Sequence, residues 1–189
     1  GYKLNTGFLG TAILNQTLTE NGYNDDAYTL LLQRNDPSWL YSIDQGATTI
    51  WERWNSYTVA KGYGPVSMNS FNHYAYGVVA EWMFQYMAGI TPDEAQPGFK
   101  HFFLQPNPDT RSVLRYSQKR ITNTDADFAS DYGQIRAKWE CDGTKEMTYQ
   151  VTIPANTSAT LRLPTGDGLY IYEGAKLAEE AEGVQYVGT

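Results

Sequence analysis

The chain has 189 residues, 41% of them hydrophobic and 14% aromatic, and a net charge of −7. That composition is too apolar for a disordered chain, and its scattered basic residues do not suit a nucleic-acid partner. No apolar run approaches the roughly 20 residues that span a bilayer, so no membrane partner is expected.

Residues 6 to 21 read as a helix. Leu9, Ala12, Ile13 and Leu18 stand near helical spacing, and Asn21-Gly22 is a stop signal. Asn24 or Asp25 can cap a second helix with Ala27, Leu30 and Leu31 as its apolar set. It must end before Asp36-Pro37, because proline disfavours helix in the residue ahead of it. The two make an αα-hairpin. From Trp39 the period changes: Trp39, Tyr41 and Ile43 alternate with Leu40, Ser42 and Asp44, which predicts a short extended segment. If Thr49 to Trp54 is also extended, Ile50, Glu52 and Trp54 share one face, and Trp51 and Arg53 share the other. Residues 55 to 68 carry Gly62, Gly64 and Pro65 and read as a loop.

A long helix is predicted next, capped by Asn69 or Ser70 and running from Phe71 to Gly89. It is apolar nearly all round, which predicts burial on most sides. Gly77 in its middle costs about 1 kcal/mol against alanine and points to close approach by another element. At Thr91-Pro92 the character turns to β. The predicted strands are Phe99 to Leu104, Val113 to Arg120, Gln134 to Trp139, Met147 to Ile153, Ala159 to Leu163 and Leu169 to Tyr172. Asp142-Gly143 is a hairpin turn, and Thr165-Gly166-Asp167-Gly168 is another turn. Short strands with regular turn signals indicate a sandwich. The boundary falls near residue 95, giving a helical part over 1–95 and a β part over 96–189. About three helices cannot close a core around themselves. They need further helices of a longer polypeptide, or a homodimer contact. The chain opens without Met and enters helical sequence almost at once, which reads as a cut from a longer protein. Localisation is therefore left open.

The stretch Gly46-Ala47-Thr48-Thr49-Ile50-Trp51-Glu52-Arg53-Trp54-Asn55 stands out. It sets a carboxylate between two indoles. Glu52 there could act as a general base, nucleophile or general acid, and the competing role is an ion pair with Arg53 or Arg34. His73, in the first turn of the predicted long helix, would tend to be neutral and could meet a sugar hydroxyl. The competing role is a buried imidazole bonded to backbone or a tyrosine. Trp51, Trp54 and Trp39 could stack on a sugar ring. Trp82 and Trp139 read as core residues, His101 as structural or exposed, and Asp25-Asp26 as helix capping. Asp125 and Asp127 fall in a turn-like region, too little to argue for calcium. The single Cys141 reads as a small structural residue and allows no internal disulfide. With two histidines and no metal-ligand spacing, no metal or cofactor is expected.

Five stretches resemble, in order and spacing, the C-terminal portion of bacterial α-L-rhamnosidases of glycoside hydrolase family 78. They are Asn5 to Thr11, Pro37 to Tyr41, Gly46 to Trp54, Ser70 to Gly77, and Gly98 to Phe102. The run Ala47-Thr48-Thr49-Ile50-Trp51-Glu52-Arg53-Trp54 is the most specific. The resemblance implies an α+β chain: the last helices of an (α/α)6 barrel, then an antiparallel β-sandwich. It also implies inverting hydrolysis of terminal α-L-rhamnosyl residues from a glycoside or polysaccharide. It makes Glu52 the general base and His73 a sugar contact. The general acid of the family falls on none of these residues and would lie upstream. The fragment alone is therefore expected to be inactive. Two readings compete: a non-catalytic carbohydrate-binding module, and another (α/α)6 glycosidase with a different sugar specificity.

Overall fold

A computed structural model describes residues 1–143, 146–164, 170–185 and 187, as a mixed helix-and-sheet chain. The αα-hairpin is present. Helix α1 spans Phe8–Glu20 and α2 spans Asn24–Leu31, with Asp25 and Asp26 in the first turn of α2. Acidic side chains there oppose the positive end of the helix. Ala27, Tyr28, Leu30 and Leu31 are buried as the α2 spacing predicts. The predicted stripe of α1 faces inward only in part, through Leu18, which packs against the helical cluster. Leu9 is 88% exposed and Ile13 61%, whereas Thr11 and Asn15 are buried.

Trp39 to Asp44 forms a third helix, α3, not the predicted extended segment. Ser38 caps it, its Oγ accepting from the Tyr41 amide at 3.1 Å. Six residues are too few to separate a period of 2 from one of 3.6, and the cap decides. The predicted loop over 55 to 68 contains a small antiparallel hairpin, β1 (Tyr57–Thr58) and β2 (Gly62–Tyr63).

The long helix begins at Ala75, not near Ser70. It runs as a 3-10 turn (Ala75–Val78), one α turn, α4 (Val79–Trp82), and a π-helical turn (Met83–Ala88). Gly89 ends it with φ +90, where an added Cβ would lie 2.4 Å from the Gln105 carbonyl carbon. Burial is one-sided: Tyr76, Trp82, Met87 and Ala88 are inside, while Met83 and Phe84 are exposed. Gly77 has the predicted neighbour. A Cβ there would stand 3.3 Å from Ile50 Cγ1.

Two three-stranded sheets follow. One holds β3 (Ile90–Pro92), β4 (His101–Leu104) and β8 (Ser158–Leu161). The other holds β5 (Asn123–Ser130), β6 (Gly133–Cys141) and β7 (Met147–Thr152). A short antiparallel pair, β9 (Tyr172–Glu173) with β10 (Lys176–Leu177), and a 3-10 turn (Ala178–Glu180) follow. Ile90, Phe102 and Leu104 of the first sheet and Ile135 and Ala137 of the second share one buried cluster. The sheets are not wholly antiparallel, because β8 runs parallel to β4. It returns from β7 in the other sheet by a crossover, and a crossover does not impose the reversal that a hairpin does.

Two further expectations are corrected here. Val113 to Arg120 forms no strand. Tyr116 and Ser117 adopt left-handed φ values of 55° and 57°, and the Gln118 amide turns back to the Arg115 carbonyl at 2.9 Å. Asp125 and Asp127 sit in β5 beside Arg136, the nearer ion pair at 2.6 Å, not in a turn. The turn at Thr165 to Gly168 lies outside the described residues, as does the start of the strand predicted from Leu169.

The helical and β parts are knitted together. Trp139 of β6 is fully buried in the helical cluster with Tyr28 and Trp82, and its indole donates to the Met87 carbonyl at 2.7 Å. Tyr28 and Tyr149 donate to the carbonyls of Asn107 and Ala88. Burial pushes both phenols upward. Arg111 and Asp109, both buried, form a two-pronged ion pair beside Thr29 of α2. His101 is structural: its Nδ1 meets Asp93 at 2.7 Å and its Nε2 meets Thr160 at 2.9 Å.

Candidate active site

The stretch around Glu52 is not a strand. It is a bent segment laid against residues 70–73. The His73 amide donates to the Ile50 carbonyl and the Glu52 amide to the Ser70 carbonyl, each at 2.9 Å. Thr49 Oγ1 donates to the Phe71 carbonyl. These bonds also explain the late start of the helix, because residues 70–73 spend their backbone groups on the Glu52 stretch. The predicted alternation stops at Arg53. There the Ser56 hydroxyl accepts from the Arg53 amide at 3.2 Å, and the Ser56 amide donates back to the Arg53 carbonyl.

The Glu52 carboxylate folds onto the same neighbour. Its Oε2 accepts from the Ser70 amide at 2.7 Å. Glu52 is half-buried and makes no ion pair among the described residues. Arg34, one of the partners weighed for it, pairs with Asp44 instead. A backbone donor holds a carboxylate in position and leaves its charge unneutralised by a cation.

His73 is brought to the same edge, two residues before the helix. Its Nδ1 accepts from the Ala75 amide at 3.4 Å, which leaves the proton of a neutral ring on Nε2. Phe8 stacks on the imidazole with centroids 4.8 Å apart, and Tyr74 flanks it at 5.8 Å. Among the described residues Nε2 has no hydrogen-bond partner.

The indoles are more enclosed than a stacking platform. Trp51 is 7% exposed and meets Phe71 edge-on at 5.3 Å. Trp54 has Tyr76 stacked 3.8 Å away and Trp39 edge-on, and its Nε1 donates to the Thr6 carbonyl. Trp39 donates to the Tyr76 carbonyl. These rings wall a cavity of about 350 Å³. Burial raises the Tyr76 phenol, and the Arg53 charge partly opposes it. A second cavity of about 200 Å³ lies between Arg53-Asn55 and the β1–β2 hairpin. Sequence reasoning missed Ser70 and Phe8 as partners of the site. Their signal was present in the Ser-Phe-Asn-His and Gly-Phe-Leu-Gly runs that carry the resemblance.

Two family models match the chain. Residues 1–87 match the bacterial alpha-L-rhamnosidase 6 hairpin glycosidase domain, and residues 89–178 match the bacterial alpha-L-rhamnosidase C-terminal domain. The chain belongs to the bacterial α-L-rhamnosidase family. It is 43% identical over 162 residues to an alpha-L-rhamnosidase of Formosa agariphila, covering 86% of this chain and 16% of that protein. The crystal structure of Streptomyces avermitilis alpha-L-rhamnosidase complexed with L-rhamnose superposes with a TM-score of 0.73 at 41% identity. That match covers 85% of this chain and 14% of that one. The native Aspergillus terreus alfa-L-rhamnosidase gives 0.76 at 36% identity, over 87% and 18%. This rhamnosidase-family chain thus spans about 16% of the length of the curated relatives it matches.

Proposed function

We propose that the chain is part of an inverting exo-glycosidase that removes terminal α-L-rhamnosyl residues from a glycoside or polysaccharide. Glu52 is its general base. The observation that carries this reading is the carboxylate held by the Ser70 amide, free of any cation among the described residues, on a segment bonded directly to His73. Inversion needs two carboxyl groups roughly 6.5–9.5 Å apart with a water between them. Glu52 takes a proton from that water as it attacks the anomeric carbon. An acid outside this chain gives a proton to the departing oxygen. His73 Nε2–H is the donor to a sugar hydroxyl. Trp51 and Trp54 frame the rhamnose, supporting it through the Phe71 and Tyr76 rings packed on them.

Residues 1–95 are read as the last helices of an (α/α)6 barrel, and the two sheets as a β-sandwich over residues 96–189. Exposed Leu9, Ile13, Met83 and Phe84 support the first, as surface that neighbouring barrel helices would cover. The cluster shared by the sheets supports the second. Because the acid lies elsewhere, the isolated 189-residue chain should not turn over a nitrophenyl α-L-rhamnoside. The full polypeptide should, with the inverted anomer as first product by proton NMR. Turnover by the isolated chain, or a retained anomer, contradicts this mechanism.

A further inference from the structure

The cavity beside Arg53 has a charge character that the hydrolytic reading does not use. Its lining includes Arg53, Asn55, Lys61 and Tyr63 and no acidic residue, although acids outnumber bases 21 to 14 in the chain. Arg53 is half-buried; its backbone bonds to Ser56, but among the described residues its guanidinium has no ion pair, hydrogen bond or ring contact. The other arginines differ. Arg34, Arg111 and Arg136 pair with carboxylates. Arg120 donates to backbone carbonyls, and Arg115 and Arg162 lie over aromatic rings. A partly desolvated guanidinium without a partner costs free energy unless a ligand completes it. Lys61, on the turn of the β1–β2 hairpin, adds a second cation with no ion-pair partner among the described residues. Its amide donates to Thr58 Oγ1 at 3.1 Å, which fixes the turn.

The cavity is built, and Arg53, the residue after Glu52, lines both it and the cavity walled by Trp51 and Trp54. Buried Ser56 ties its wall on both sides: it closes the bend at Arg53, and its carbonyl accepts from the Gly64 amide and from Asn69 Nδ2. Tyr63 is 76% exposed, yet its ring is braced by Tyr57 at 5.1 Å and Phe71 at 5.7 Å. Phe71 in turn meets Trp51, the residue before Glu52. An exposed aromatic face beside two cations suits a sugar ring that carries an anion.

The structure assigns this cavity, we infer, as a subsite for an anionic sugar, carboxylated or sulfated, attached to the rhamnose that is released. The assignment rests on the glycosidase reading above. Arg53 gives the two-pronged contact to the anion, Lys61 a second charge, and Tyr63 the stacking face.

The test uses the full polypeptide that carries this chain and three rhamnosyl disaccharides: neutral, uronic-acid and sulfated. The acidic substrates should show the higher kcat/KM, with the preference eroding as salt rises. Arg53→Gln and Lys61→Gln should each lower the acidic-to-neutral ratio about tenfold, through KM more than kcat. Lys61→Glu, at an exposed turn where folding is not at stake, should reverse the preference. The faster acidic substrate identifies the group as carboxylate or sulfate. A wild-type ratio at or below one, or a ratio that none of the three variants moves, overturns the subsite. Hydrolysis of none of the three overturns the glycosidase reading and this inference with it.

Discussion

Glu52 and His73 are 21 positions apart in sequence and are joined in space by backbone hydrogen bonds between their two segments. The competing role weighed for Glu52 was an ion pair with Arg53 or Arg34, and neither pair is present. His73 is instead wedged between the Phe8 and Tyr74 rings. Replacing His73 with alanine removes the proposed donor to a sugar hydroxyl, and it should raise KM about tenfold with a smaller change in kcat, read by steady-state kinetics on the full polypeptide. Asp93 offers a pH test. The Ala95 amide first, then the His101 ring, hold its carboxyl below the ordinary carboxylate value. A carboxyl depressed in the folded state contributes stability above its unfolded pKa, and that contribution fades as pH falls through the folded one. Asp93→Asn should therefore lose less stability than wild type between about pH 4 and pH 2, measured by urea unfolding across that range. At this scale the chemistry-bearing residue types were legible, because a carboxylate between indoles is an unusual local choice. Their hydrogen-bond partners were not. Nothing in the local pattern says that Glu52 meets Ser70.

Elements were legible where period and burial agree. Ile135, Ala137 and Trp139 alternate in β6 and are fully buried, and Met147, Tyr149 and Val151 alternate in β7. The misreadings share a cause, which is bonding outside the local window. Ser38 turns Trp39 to Asp44 into a helix, and the Ile50–Glu52 segment takes the backbone of residues 70–73 before a helix can. Gly77 is where the two scales meet, since Ile50 lies against it one residue from Trp51 and two from Glu52. Gly77→Ala should push that segment outward. The expected result is a drop in kcat of about tenfold or more with a small loss of stability, partly restored by adding Ile50→Ala. Equal kcat in Gly77→Ala and wild type would show that the contact does not position Glu52.

Across the whole molecule, the helical and β parts share core residues rather than meeting at a soft boundary. Trp139 reaches into the helical cluster, and the buried Asp109–Arg111 pair links α2 to the segment ahead of β5. Arg111→Leu leaves Asp109 buried without its cation and should cost about 3–5 kcal/mol. Asp109→Asn with Arg111→Leu should cost less than Arg111→Leu alone, as read from urea midpoints. This knitting was not legible, because alternation marks Trp139 as inward but not which cluster receives it. The stripe of α1 was legible as apolar and as needing cover beyond these few helices, and Leu9 and Ile13 do stand exposed. On the proposed mechanism, this chain supplies the water-activating half of a hydrolytic pair. The direct measurement is Glu52→Gln in the full polypeptide, by nitrophenyl α-L-rhamnoside turnover and by calorimetric titration with L-rhamnose. Turnover should fall by about 10²–10⁴-fold while rhamnose binding stays near wild type. Turnover that survives the substitution would contradict the assignment of Glu52 as the base.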